Sequence, residues 1–447
     1  MRSLFVFLIL LLATSSSDAQ WDRAEEQIAE LRSLADSTAT LQNELDQSGN
    51  LNLKKKHYRI TKTLHVDLAK HGAALIDASV GSTLIMDGAG PALRIVGTHQ
   101  GTASPKTFKP KTWNQRMPTI RGLEILGANP KADGIQLDGT VAAIVSGVSV
   151  RWCRHGIHLA NRNRNVIISD CHLYDNSGIG IFLDDVNLHQ INVKGTHVSY
   201  NRGGGIVVRD GNVRNLQIVG CDIEGNMPAD QTPTKTANVL IDVSGSPGDK
   251  SKSIAEISIT GCTIQHAANY GAGKTKGVAL GGANIRLAGK EIYPINSVTI
   301  SGNVLSDTTT NVDLMHCHDI IIANNNFFAP GDQNLRVGHS ERVNVVGNTF
   351  NPRNFVRPGT IVFDQCRSCV LSNSTLHKLA DENGAVQIMR CSEFVIANLI
   401  FSSCESGIVF DNSRSCSVAN CRYVDFGLNK KTVVIRPPTD SIRVQKP

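Results

Sequence analysis

The sequence predicts an all-β solenoid, in which one chain of 447 residues winds into stacked coils of short strands. The first observation is a returning phrase: GIQL at 134, GIHL at 156, GIFL at 180 and GIVV at 205, then NVLI at 238, NIRL at 284, NVDL at 311, NLRV at 334, AVQI at 385 and GIVF at 407. The first four starts lie 22, 24 and 25 residues apart, and 311 to 334 gives 23. Self-similarity at such a period signals stacked units that bury their apolar faces only against each other. The second observation is the order inside each unit, as in GIHLANRNRNVIISDCHLYDNS: a strand, a polar turn, a second strand, a tight corner and a third short strand. Alternating Ile, Leu and Val mark strands with one buried face, and three strands with no crossover helix imply a parallel coil.

The elements follow in chain order. MRSLFVFLILLLATSSSDAQ carries Arg2, an apolar run and a small-residue site, so residues 1–19 are expected to be a cleaved secretory signal and the protein secreted or periplasmic. No other segment approaches a membrane span, and membrane attachment is not expected. In residues 20–48, Ile28, Leu31, Leu34, Leu41 and Leu45 fall at helical spacings, which predicts an amphipathic helix capping the open apolar end of the first coil. A partner-binding helix is the alternative. Residues 49–440 then form the solenoid, about 10–12 coils, and 441–447 a tail. A solenoid grows along its axis, so this length needs no second domain. A monomer is expected.

After the second strand of each unit, Cys171, Cys221, Cys262, Asn303, Asn325, Asn348, Asn373, Asn398 and Cys421 recur at a corner. Neighbouring strands lie ~4.8 Å apart, so these residues are expected to stack as a structural column, with amides bonding up the stack. The eleven cysteines are an odd number and sit in such columns, which favours free buried thiols. Cys366 and Cys391, in like positions of adjacent coils, are the pair best placed for a disulfide.

On these repeats the chain resembles the right-handed parallel β-helix proteins of the pectin and pectate lyase-like superfamily, over roughly residues 40–440. The resemblance implies a single-stranded right-handed parallel β-helix. It also implies that a sugar chain would lie along the first sheet between loop walls, while leaving lyase, hydrolase, epimerase and non-catalytic roles open.

Strand alternation points Ile and Leu of the phrase inward, so the third residue and the one after the phrase point outward. The outward pairs are Gln136 and Asp138, His158 and Ala160, Phe182 and Asp184, Val207 and Arg209, Leu240 and Asp242. Asp184, Arg209 and Asp242 therefore stack as acid, base, acid. Asp185, Asp210 and His189 follow the strip, and Asp133 and His155 precede it. The candidate catalytic residues are Asp184, Asp185, His158, Arg209, Asp210 and Asp133, a set able to do acid and base chemistry on a saccharide. Asp138, His155, Arg162, Arg164, His189, Arg214, Asp242 and Trp113 are the candidate substrate contacts. Trp113 lies with Arg116 in TFKPKTWNQRMP, which is expected to form a wall. Later coils offer fewer titratable groups on this strip: Arg286, Met315, Gly338, Val362 and Met389. The competing reading is a solvated ladder of alternating charges.

Against the polygalacturonase-like pattern, KADGI keeps Asp133 and Gly134 but lacks the preceding Asn and Thr, and Asp184 and Asp185 follow their strand. Against the pectate lyase-like pattern, Asp184, Asp185 and Asp210 could ligate Ca²⁺ beside Arg209. No cofactor is expected, Ca²⁺ being the metal these acids would suit. MHCHD at 315–319 makes a poor chelate, because alternation sends neighbours to opposite faces. The net charge of +6 and the guanidinium groups near the strip point to an anionic polysaccharide, uronate-containing or sulfated. Nucleic acid is not expected of an exported chain without an aromatic and basic platform. Insertions at 226–236, 244–252 and 266–282, the last with Tyr270, Lys274 and Lys276, are expected to be binding loops. The expected function is an exported enzyme that cleaves an anionic glycan by β-elimination or hydrolysis. The alternative is a non-catalytic β-helix for glycan adhesion or an envelope structural role.

Overall fold

The computed structural model describes residues 27–101, 106, 108–228, 233–246, 252–266, 280–353, 358–426 and 431–445. The expected signal segment and Tyr270, Lys274 and Lys276 lie outside these residues. The chain is an all-β parallel solenoid whose coils each add one strand to three stacks. Sheet 1 holds the returning phrase and runs from Leu64–Asp67 to Val433–Arg436, and sheet 2 runs from Leu51–Leu53 to Arg443–Val444. Sheet 3, from His57–Ile60 to Arg422–Val424, has 14 strands among the described residues. The long strands Ile157–Ser169 and Ile179–Lys194 pass from sheet 1 into sheet 2 and join the two into one parallel network.

Fourteen coils exceed the ten to twelve read from the repeat. The first coils use strands such as Leu64–Asp67 and Gly90–Val96, which keep the alternation without the phrase. Inward residues of all three sheets, including Ile135, Leu159, Ile181 and Val208, form one continuous apolar core along the axis.

The N-terminal segment does two jobs. Helix Thr38–Ser48 sets Leu41 and Leu45 into the end of that core, against the strands of the first coil. Upstream, Ile28, Leu31 and Leu34 pack on Ile85, Leu126 and Ala128 outside the core. Asp87 anchors this strap through Arg32 and Arg59.

The corner between sheets 2 and 3 explains the recurring Gly, Asn and Asp. Gly302, Asn324, Gly347, Asn373, Asn398 and Asn420 all adopt φ between 51° and 71°, a left-handed conformation that Gly and Asn tolerate best. Asn373 and Asn398 therefore belong to this turn, one residue before the buried column where the sequence had placed them. The column proper runs Cys262, Asn303, Asn325, Asn348 and Ser374, each backbone N–H bonding the next side chain at 2.9–3.1 Å. Asn373 instead accepts from the Asn398 amide at 3.0 Å on the surface.

A second ladder was not foreseen. Asn176, Asn201, Asn226, Asn238, Asn284, Asn311 and Asn334 are fully buried and linked amide to amide at 2.7–3.0 Å. The first three leave sheet 3, whereas the last four open the sheet 1 phrase. Glycine makes room for the first kind: a Cβ on Gly205 would lie 2.9 Å from the Asn226 amide nitrogen and 2.4 Å from the Asn238 carbonyl. The change from GIxL to NVxL in the sequence marks the coil where the amide's supplier changes.

All eleven cysteines are free and buried. Cys366 and Cys391 stack as expected, the Cys366 N–H lying 3.4 Å from the Cys391 sulfur, but they are thiols that donate to carbonyls two residues back.

Candidate functional site

The register places the outward residues as the alternation predicts. One row on sheet 1 reads Arg94, Gln136, His158, Phe182, Val207, Leu240, Arg286, Asp313, Arg336. The next reads Asp138, Ala160, Asp184, Arg209, Asp242, Ala288, Met315, Gly338. Phe182, Val207 and Leu240 point away from the core yet are buried, because they form a second apolar cluster with Ile179, Ala237 and Ala283 on the outer face.

His158 lies flat on the Phe182 ring, 5.2 Å between centroids, with His155 against the same ring at 5.2 Å. Its Nδ1 is 3.2 Å from the Gln136 amide nitrogen. That contact makes Nδ1 an acceptor and assigns the proton to Nε2. Nε2 is buried without a hydrogen-bond partner among the described residues and stands 3.6 Å from a carboxylate oxygen of the half-exposed Asp184. Burial pulls the His158 pKa below its ordinary value against the opposing pull of Asp184, so the ring is neutral at neutral pH. Burial brings His155 down to about 4, and its Nδ1 accepts the Ile179 N–H at 3.1 Å.

Arg209 rests its guanidinium 5.0 Å from the Phe182 ring, in register with Asp184 and Asp242. Among the described residues no ion pair joins it to either acid. Asp242 instead caps its own turn, accepting from Ser244 N at 2.8 Å and Ser244 Oγ at 2.6 Å. The site therefore presents one carboxylate, one neutral imidazole and one uncommitted guanidinium on an aromatic floor.

The remaining candidates lie elsewhere or are engaged. Asp133 is buried and held by Arg154 at 2.6 and 2.9 Å and by the His155 N–H at 3.1 Å. Asp138 accepts from Arg94 at 3.1 Å and Asn161 at 3.0 Å. Asp185, at φ 42°, is taken by buried Lys252 at 2.5 Å, and Asp210 by the Ser246 hydroxyl. Arg162, Arg164, His189 and Arg214 lie on the turn between sheets 1 and 2, where Arg164, His189 and Arg214 share register. There Arg162 donates to the Gly101 carbonyl and Arg164 stacks 4.8 Å from the Phe108 ring. His189 is pulled down in pKa first by burial and then by Arg214, which itself pairs with Glu256 at 3.0 Å. Trp113 stands edge-on to Phe108 and half exposed, with Arg116 at 5.2 Å.

Sequence reasoning missed Arg94, Phe108 and Lys252, and it undercounted the titratable groups of the later coils, whose strip also carries Asp313, Arg336 and Asp364. Arg94 was readable by carrying the phrase one coil back to ALRIV. Lys252 and Phe108 sit in irregular segments where no period fixes their direction.

Two family descriptions match the chain: "Right handed beta helix region" over residues 114–248, and "Periplasmic copper-binding protein (NosD)" over residues 255–425. Among curated proteins no sequence matches. Among solved structures, the Azotobacter vinelandii mannuronan C-5 epimerase AlgE4 A-module is 13% identical, with 93% of this chain and 99% of that chain covered and a TM-score of 0.47. A mutant of the tailspike protein of E. coli bacteriophage HK620, in complex with pentasaccharide, is 12% identical over 92% of this chain and 77% of that one, with a TM-score of 0.50.

Copper would need converging soft or imidazole donors. In 255–425 the thiols are buried and donate to backbone carbonyls, as Cys317 and Cys416 do, and burial raises Cys416 to about 11. His316 and His339 stack with ring centroids 5.0 Å apart, so their nitrogens do not aim at one point. Among the described residues no three His, Cys, Asp or Glu side chains converge, in that region or around Asp184, Asp185 and Asp210. These donors do not fit copper. No helix among the described residues is long and apolar enough to cross a membrane. The three stacked sheets, their parallel pairing from coil to coil and the match over residues 114–248 together make this chain a right-handed parallel β-helix protein.

Proposed function

We propose that this protein binds an anionic polysaccharide along the outer face of sheet 1 and acts on it by β-elimination at Asp184, His158 and Arg209. The carrying observation is the buried His158 Nε2, unpartnered among the described residues and 3.6 Å from the half-exposed Asp184 carboxylate. Buried polar atoms are nearly always satisfied, and an exception beside a half-exposed carboxylate calls for a partner from outside the chain. A hydroxyl of a bound sugar would supply the missing partner.

In this reading the uronate carboxylate lies against Arg209, which neutralises charge as the adjacent carbon is deprotonated. Asp184 accepts that proton, while the neighbouring His158 Nε2–H binds a sugar hydroxyl and so fixes the ring against the carboxylate. The electron pair forms the new carbon–carbon double bond, the bond from the neighbouring carbon to the glycosidic oxygen breaks, that oxygen takes a proton from water to leave as a hydroxyl, and the proton held by Asp184 passes to solvent. Hydrolysis is the weaker variant, because it asks for a second free carboxylate and Asp138 and Asp242 are both engaged. The similar fold of the HK620 tailspike, whose structure holds a pentasaccharide, supports a glycan ligand. The non-catalytic reading draws support from the paired acids, Asp133 with Arg154 and Asp138 with Arg94.

The test exposes the protein to uronate-containing and sulfated polysaccharides, with and without Ca²⁺, and follows unsaturated-uronate absorbance together with reducing ends. New absorbance that is lost in Asp184→Asn supports elimination. Reducing ends alone would make it a hydrolase, and silence on both across a broad panel would leave binding as the function.

A further inference from the structure

The turn between sheets 1 and 2 in the first two coils encloses an open cleft of about 870 Å³. That volume is in the ~300–1,000 Å³ range of small-molecule sites. One wall is the short helix Leu68–His71, and the other is Pro110–Trp113 with the residues after it. Both walls are braced from behind. Gln115, 4% exposed, accepts the Thr98 N–H at 2.8 Å and donates to its hydroxyl at 2.9 Å. Gly72, at φ 77°, brings the walls together, since a Cβ there would lie 3.2 Å from the Asn114 carbonyl.

Lys70, His71, Lys111 and Arg116 line the cleft, and among the described residues no Asp or Glu does. Lys70 is steadied by the Asp46 carbonyl at 2.6 Å, and Arg116 by the Trp113 carbonyl at 3.1 Å. Three cationic side chains and an imidazole on a braced frame, with no counter-acid among the described residues, are suited to a negatively charged ligand.

We infer that this cleft is a distal subsite for one carboxylate- or sulfate-bearing sugar of the chain whose reacting unit lies at Asp184. The inference rests on the proposed function. The cleft occupies coils one and two by their sheet 1 strands, and Asp184 lies on the fifth. At ~4.8 Å per coil the separation is roughly 15–20 Å. Arg162 and Arg164 lie on the same turn between the two. A long polyanion reaches both places and a short one cannot, so the cleft selects for length and holds the chain in place during reaction.

The experiment compares the protein with the double variant Lys111→Glu and Arg116→Glu, titrating short and long oligosaccharides of a uronate series and of a sulfated series. The expected result is at least tenfold weaker binding of long chains by the variant, with turnover of short chains unchanged. The series that shows the loss identifies the anion. Long-chain affinity that is equal in both proteins overturns the subsite and leaves the proposed function standing. Absence of any binding by the unaltered protein overturns both. If circular dichroism shows the double variant misfolded, Lys111→Gln with Arg116→Gln replaces it under the same criteria. As a second readout, long chains should change the fluorescence of the unaltered protein, and an identical change in Trp113→Phe counts against the subsite.

Discussion

The two halves of sheet 1 use one register to opposite ends. In the later coils, Asp313 is gripped on both sides, by Arg286 at 2.8 Å and Arg336 at 2.9 Å, and Asp364 is paired with Arg390. In the earlier coils the same columns hold His158, Asp184 and Arg209, and hydrogen bonding is left incomplete. Charged residues alone therefore do not mark a site on this scaffold. What separates the halves is satisfaction: one is a closed ladder, and the other keeps polar groups in reserve beside a buried aromatic ring.

The largest expected effect is on the reaction. Asp184→Asn should lower the elimination rate by about 10²–10⁴-fold, whereas Asp364→Asn in the later coils should leave it unchanged, both read by unsaturated-uronate absorbance. Equal losses would erase the distinction between the halves. Stability should show the reverse order. Asp313→Ala removes a buried carboxylate from between two arginines and should cost about 3 kcal/mol in denaturant unfolding, while Asp184→Ala should cost under ~1 kcal/mol.

The buried amide ladder comes next. Asn284→Ala should cost about 1–3 kcal/mol, because Asn238 and Asn311 lose a partner inside the coil.

Acid should sharpen the comparison further. His155 falls from an ordinary 6.5 to about 4 through burial, and His158 moves in the same direction. A group whose folded pKa is depressed contributes stability that is present above its unfolded value and lost as pH falls. The melting temperature should thus decline between pH 6.5 and about 4, and His155→Phe should flatten that decline. The smallest effect belongs to Phe182→Leu, which keeps the apolar cover but removes the ring under Arg209. The cation–π loss of about 0.5–1 kcal/mol should raise KM by roughly two- to fivefold.

Periodicity made much of this legible. The phrase fixed which residues face outward, and the register of Asp138, Asp184, Arg209 and Asp242 follows it. Coils were undercounted because the first ones bury the same face without the phrase. Asn373 and Asn398 were misassigned by one residue, since Asn serves both the left-handed turn and the column beside it. The engagement of Asp133, Asp185 and Asp210 was invisible because Arg154, Lys252 and Ser246 approach from other coils or from irregular segments. Alternation tells which way a side chain points but not what meets it there.

The amide ladder has one further consequence. Between Asn226 and Asn238 its supplier passes from the end of one coil to the start of the next, and the chain of hydrogen bonds continues unbroken. The residues between these two asparagines supply no amide to the ladder, so its continuity is set by the two ends of that interval and not by the sequence between them.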